Sequence, residues 1–311
     1  MFDTLIKTHV DDYKAISVST YRAMRKKHFA YLEEDLSFLD GYETLVVLAL
    51  SFPKEEPPYK GKGFGKISRY AHGVDYHIVF RDKLRIITGA LASQGYRVWA
   101  DADISPVDER FAAFLSGMGF LGHNRFLIHP DFGTHLYLAT MLVDAPLHTT
   151  PYAEDSCGTC RKCIAACPTD ALEVNAFHRE RCLSHTTQEK IPLSLEEIAP
   201  IKQYVFGCDI CQNVCPKNRA ISPMHHPQFK SDEAAQLHLT TLLEMSNKQL
   251  MKRYRNYAFA WRGMSVLKRN AVCIMFNQKH PRVFEYARTL QRDYAKTPWL
   301  HQTLQTILNE E

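Results

Sequence analysis

The spacing of apolar and polar positions changes character along this 311-residue chain. Thr44–Phe52 is a β-branched and aliphatic run halted at Pro53, the pattern of a buried strand. Phe80, Leu84, Ile87 and Leu91 recur at steps of four, three and four, which predicts an amphipathic helix with Gly95 as its stop. Tyr96–Ala100 and His135–Val143 read as further strands. Ser105-Pro106-Val107-Asp108 predicts a helix start with proline at the first helical position, running to about Ser116. These alternating signals predict a layered α/β domain over residues 1–150. A linker containing Pro146 and Pro151 leads into a cysteine-rich domain over 151–222. From Leu237 the period turns helical, through Leu242, Leu243, Leu250 and Tyr254 and then Val266, Leu267, Val272 and Ile274. The expected class is therefore α+β, ending in a short helical segment over 223–311.

Composition narrows the compartment more than the function. Hydrophobic residues make up 45% of the chain and charged residues 23%, ordinary values for a soluble globular protein. The longest aliphatic run, Leu45–Leu50, is far too short to span a bilayer. The opening Met1-Phe-Asp-Thr-Leu-Ile-Lys lacks a signal-peptide profile, so a reducing cytoplasm and no membrane partner are expected. A net charge of +4 does not by itself imply nucleic acid. The basic clusters at 22–27, 60–69 and 252–269 read as solvated faces and loops. Gly61, Gly63 and Gly65 follow no strand and make no dinucleotide fingerprint, so they read as a mobile loop.

The cysteines carry the sharpest chemistry. Eight of nine read Cys157-x2-Cys160-x2-Cys163-x3-Cys167-Pro168, then Cys182, then Cys208-x2-Cys211-x3-Cys215-Pro216. In the bacterial ferredoxin arrangement each run holds one 4Fe–4S cluster and lends its last cysteine to the other. Cys157, Cys160, Cys163 and Cys215 would hold the first cluster. Cys182, Cys208, Cys211 and Cys167 would hold the second. Zinc knuckles would leave the third cysteine and both Cys-Pro steps unexplained. A disulfide framework suits short secreted chains instead. Cys273, inside the apolar stretch Val272–Phe276, reads as a core residue.

Beyond the cysteines, several segments are strongly patterned: Arg69-Tyr-Ala-x-Gly-x-Asp-Tyr-His77, Asp103-x-x-Pro-x-x-Glu-Arg110 and Gly117-x-Gly-x-x-Gly-x-Asn124. With them stand Cys182-Leu-Ser184, Thr187-Gln188, Gly207-Cys-Asp209, Trp261-Arg-Gly263 and Lys268-Arg-Asn270. Over roughly residues 40–275 this combination resembles the epoxyqueuosine reductases, cobalamin- and 4Fe–4S-dependent enzymes of tRNA modification. His123 stands where the family pattern has lysine. The helical-repeat segment that usually ends the family is expected to be short here.

The resemblance implies an oxidoreductase that takes electrons from an external flavodoxin- or ferredoxin-type donor, or a reductase. It would pass them through two clusters to a base-off cobalamin in the N-terminal domain and reduce epoxyqueuosine in tRNA, acting as a monomer. Asp103 matches the family's proton donor. Arg69, Tyr70, His77, Asn124, Ser184, Cys208 and Asp209 are the implied cobalamin contacts, and Tyr76 stays open between core and site. A free aspartic acid has a pKa near 3.9. For Asp103 to act as an acid, burial must therefore outweigh the lowering effect of the helix start that follows. The basic residues around 252–269 are the candidates for tRNA phosphate. Two alternatives remain: a cobalamin-dependent reductase of another substrate, such as an organohalide, and a ferredoxin-like carrier without chemistry of its own.

Overall fold

A computed structural model describes residues 2–29, 35–222 and 226–311. The chain forms two compact units that interleave along the sequence. One holds residues 1–54, 76–160 and 215–226, and the other 55–75, 161–214 and 227–311.

The first unit is built on an antiparallel four-stranded sheet in the order Asp12–Ser17, Thr44–Ser51, Leu136–Val143, Val98–Asp101. Thr44–Ser51 is its most buried strand: all eight residues are buried, as its unbroken apolar run requires. The helix Tyr76–Ala92 packs beside Val98–Asp101 and buries Phe80, Leu84, Ile87 and Leu91, the expected stripe. The next helix begins later than its proline suggests. Asp108, not Ser105, is its cap: Asp108 Oδ1 accepts the Phe111 amide at 3.1 Å, and the helix covers Glu109–Leu115. The Ser105 hydroxyl is occupied elsewhere, 2.9 Å from Thr140 Oγ1 and accepting the Val107 amide. A serine committed to its local turn and to a strand cannot also close a helix end.

The second unit has a three-stranded sheet. Phe64–Ile67 lies at its centre, parallel to Tyr204–Phe206 and antiparallel to Gln236–His238. Gly65 therefore belongs to a strand rather than to a mobile loop. A Cβ there would lie 2.2 Å from Val205 Cγ2 and 3.0 Å from Leu239 Cδ2. Helices Leu239–Glu244, Met264–Asn277, Val283–Asp293 and Pro298–Leu308 complete this unit's core. Cys273 is fully buried among them, as its apolar setting implied. Among the described residues no helix is long and apolar enough to cross a membrane.

Candidate functional site

In the second unit, parallel pairing decides what meets what. The strands Phe64–Ile67 and Tyr204–Phe206 run the same way, so the segments leaving their C-terminal ends, Ser68–Tyr70 and Gly207–Asp209, emerge side by side. Asp209, fully buried, accepts the Ser68 hydroxyl at 2.5 Å and the Arg69 amide at 3.1 Å. The Arg69 guanidinium lies 3.8 Å away and also donates to Asn213 Oδ1. Burial pushes the Asp209 carboxyl up, while Arg69 pulls it down. Gly207 is required at the crossing: its φ is +73°, and a Cβ would fall 2.4 Å from Ser68 Cβ. Next to it Tyr70 Oη donates to Gln188 Oε1 at 3.1 Å, and the Gln188 amide donates to Ser184 O at 2.9 Å and Ser184 Oγ at 3.1 Å. Arg69 and Asp209 thus form one bonded group, Tyr70 and Ser184 another joined through Gln188, and Cys208 precedes Asp209 in the chain.

The cysteines gather in both units. In the second, burial, with Asp209, Cys182 and Cys167 nearby, raises the Cys208 thiol to about 12. Cys211 is raised in the same way, with Cys208, Cys182 and Cys163 around it. The short helices Lys162–Ala166 and Ile210–Asn213 pack together and set these thiols. In the first unit Cys215 feels Cys157 and Cys160, and Cys157 Sγ accepts the His123 amide at 3.4 Å. The turn after Cys215 is docked through Asn218, whose Oδ1 accepts the Thr134 amide and whose Nδ2 donates to Thr134 Oγ1, both at 2.9 Å. Among the described residues no group of three His, Cys, Asp or Glu side chains is arranged to hold a metal ion. A cuboidal cluster takes its four thiolates on four separate irons, a wider arrangement.

Sequence reasoning missed the clamp beneath the second unit's cysteine loops. Arg269, completely buried, donates to the carbonyls of Thr186, Glu189 and Ile191 at 2.6–2.9 Å. Asn270 Nδ2 reaches the Thr187 and Val205 carbonyls, both at 2.7 Å. Arg269 is therefore unavailable to phosphate, and Lys268 is only 7% exposed. Both leave the set of solvated basic residues. Lys252, Arg253 and Arg255 stay exposed. The motif Lys-Arg-Asn was visible in the sequence, but a run of basic residues carries no sign of burial.

In the first unit Asp103 and His77 come together. Tyr76 stacks on Tyr137, with ring centroids 4.6 Å apart and planes 6° from parallel, which seats the helix start. His77 Nε2 then lies 3.3 Å from Asp103 Oδ2. Asp103 is held below the ordinary carboxylate range, chiefly by the hydrogen bond to His77, and burial does not prevail. The main lowering neighbour is the His77 imidazole, with Arg110 and Tyr76 adding to it. Glu109 behaves oppositely: burial lifts its carboxyl to about 7. Asn124 Nδ2 and the Arg125 Nε and Nη2 groups are buried without a hydrogen-bond partner among the described residues. Two hollows, of about 540 Å³ beside Arg22 and Lys26 and about 220 Å³ beside Lys60 and Arg253, contain none of the expected cluster or cobalamin residues and not Asp103.

Comparison with known proteins bears on this arrangement. Residues 156–218 match the family model for a 4Fe-4S double cluster binding domain, and residues 36–102 match the model described as Epoxyqueuosine reductase QueG, DUF1730. An epoxyqueuosine reductase of Staphylococcus aureus is 32% identical over 279 residues, covering 86% of this chain and 73% of the relative. The chain belongs to the epoxyqueuosine reductase family. The family's Bacillus anthracis member is 34% identical over 78% of this chain, which spans 66% of that relative's length. A crystal structure of epoxyqueuosine reductase with an epoxyqueuosine-modified tRNA-Tyr stem loop superposes with a TM-score of 0.86 at 28% identity, covering 98% of this chain and 88% of that one. A Bacillus subtilis epoxyqueuosine reductase, described with its catalytic aspartate loop swung out of the active site, matches with a TM-score of 0.81 at 28% identity, over 93% and 83% of the two chains.

Proposed function

We propose that this chain reduces epoxyqueuosine to queuosine in tRNA. Two electrons and two protons enter, the epoxide oxygen leaves as water and an alkene remains. Family membership together with the paired Asp103 and His77 supports this reading most directly. The relatives are epoxyqueuosine reductases, which suggests the substrate, and the tRNA stem loop in the related crystal structure suggests the RNA partner.

Cys157, Cys160, Cys163 and Cys215 are proposed to hold one 4Fe–4S cluster, and Cys167, Cys182, Cys208 and Cys211 a second. The thiols fit the role: those raised by burial and by one another are poor free thiolates, and they deprotonate readily only onto a metal. A base-off cobalamin fits the polar groups that have no protein partner. Asn124 Nδ2 and the Arg125 guanidinium offer buried donors of the kind that corrin amides accept. Bound cobalamin would supply the low-valent cobalt that reduces the epoxide carbon.

The protein's own part is to bind, orient and protonate. Asp103 would deliver a proton to the departing oxygen; the His77 hydrogen bond holds its carboxyl low, and further desolvation of the site would raise it. The Ser68–Tyr70 and Gly207–Asp209 turns fix the backbone around Cys208, with Asp209 as their internal tie rather than a ligand contact. Residues 1–150 are proposed as the cobalamin and substrate domain, 151–222 as the cluster domain and 223–311 as helical support for tRNA. Exposed Lys252, Arg253 and Arg255 remain for phosphate. The protein is proposed to act as a cytoplasmic monomer fed by a flavodoxin- or ferredoxin-type donor or a reductase.

The test is anaerobic reconstitution with iron, sulfide and cobalamin, then reaction with an epoxyqueuosine-containing stem loop and a chemical reductant. Conversion to queuosine that requires cobalamin is the expected result. Bound clusters with no corrin spectrum and no conversion would leave an electron carrier instead.

A further inference from the structure

Asp103 occupies the corner of a three-residue turn. The Ile104 amide donates to the Ala102 carbonyl at 2.8 Å, and Asp103 has φ +63°. This is the positive-φ form of the γ-turn, which is rare and strained. Such conformations are costly and persist where surrounding contacts over-determine them. Here the contact to the corner residue's own amide is specific: Glu109 Oε1 accepts the Asp103 N–H at 2.8 Å.

Glu109 is itself well anchored. It is the first residue of the helix Glu109–Leu115, directly after the cap Asp108. Asp108 Oδ2 pairs with Arg25 at 3.0 Å, and the Asp108 amide donates to Tyr21 Oη at 3.1 Å. At the other end of the turn Ser105 is tied to Thr140. A fixed helix start and a fixed strand thus bracket a strained corner, with one carboxylate bridging to it.

We propose that Glu109 is a positioning residue whose carboxylate latches the Asp103 turn, and that protonation of Glu109 loosens the latch. The proposal rests on the reading of Asp103 as proton donor. The groups facing Glu109 are Asp103 and Asp101, which disfavour its charge, and His77, which favours it. Arg110, next along the helix, acts on Asp103. Burial brings the Glu109 carboxyl to about 7. Above that pH the charged oxygen is the stronger acceptor for the Asp103 amide, and below it the neutral acid is the weaker one. The turn is therefore held tightly near pH 8 and more loosely near pH 6.

Hydrogen exchange on the cluster-loaded protein reads the latch without any turnover. After correction for intrinsic exchange, amides of residues 101–105 should be several-fold less protected at pH 6 than at pH 8 in the wild type. Glu109→Gln keeps an acceptor oxygen but cannot ionise, so its protection should show no pH step. Glu109→Ala should lose protection at both pH values and lower kcat roughly tenfold to a hundredfold with KM for tRNA little changed. Glu109→Gln should recover most of that loss. Unchanged protection in Glu109→Ala, or a wild-type pH step in Glu109→Gln, would overturn the latch, and the second result stands even if the alanine variant folds poorly. Failure of the parent reading looks different: Asp103→Asn would stay active while the exchange pattern held.

Discussion

Asp209 and Asp103 carry the same side chain into opposite surroundings. Asp209 is fully buried and accepts from Ser68 and Arg69, with the Arg69 guanidinium alongside. Asp103 is 63% exposed along its side chain, sits at positive φ, and touches a histidine at 3.3 Å. The first is a tie that fixes backbone around a cysteine. The second is held at the backbone by another residue's carboxylate, and its own carboxyl meets His77. Burial alone does not separate the two acids by role: the more buried one ties two turns together. The more exposed acid, with its strained backbone, is the one proposed to act.

That contrast can be broken at several points. Cys208→Ala should have the largest effect, removing a whole cluster: iron and sulfide content should fall by about half and turnover should vanish. Full iron content in this variant would break the ligand assignment. Asp103→Ala comes next. It should leave iron content unchanged and reduce turnover by about 10²–10⁴-fold, the usual weight of a positioned acid; turnover close to wild type would move the donor elsewhere. Arg269→Met tests the rigid side. It leaves three buried carbonyls without their donor and should cost on the order of 3 kcal/mol or more, seen as a lower thermal midpoint of the cluster-loaded protein. Were its midpoint unchanged, the clamp would be ornamental.

His77→Ala should be the mildest. The hydrogen bond from His77 is the chief cause lowering the Asp103 carboxyl, so its removal lets that pKa rise toward the ordinary value. A general acid must be protonated, so the alkaline limb of kcat against pH should move to higher pH. Movement toward lower pH would contradict the assigned cause.

How much of this was legible in the sequence varied with the kind of signal. Periodicity located the strand at Thr44 and the helix over Tyr76–Ala92, because burial on a regular element repeats at its own period. The Cys208 neighbourhood was half legible. Ser68–Tyr70 and Gly207–Asp209 stood out as patterned segments, yet only parallel pairing of their strands brings them together. The helix start at Asp108 was misplaced because Pro106 and Ser105 mimic a cap while Ser105 is engaged by Thr140, 35 residues away. Arg269 was read as a solvated cation because charge patterning cannot see three carbonyls converging from distant segments. Glu109 was quoted within a motif and given no role, since its partner is a backbone amide, which no side-chain pattern reveals.

The central claim, that this chain completes queuosine with Asp103 as the acid, is tested most directly in cells. Nucleosides from the tRNA of a strain lacking the chain should contain epoxyqueuosine in place of queuosine. Wild-type chain should restore queuosine and Asp103→Ala should not. Queuosine at its normal level in the deletion strain, or full restoration by Asp103→Ala, would contradict the account.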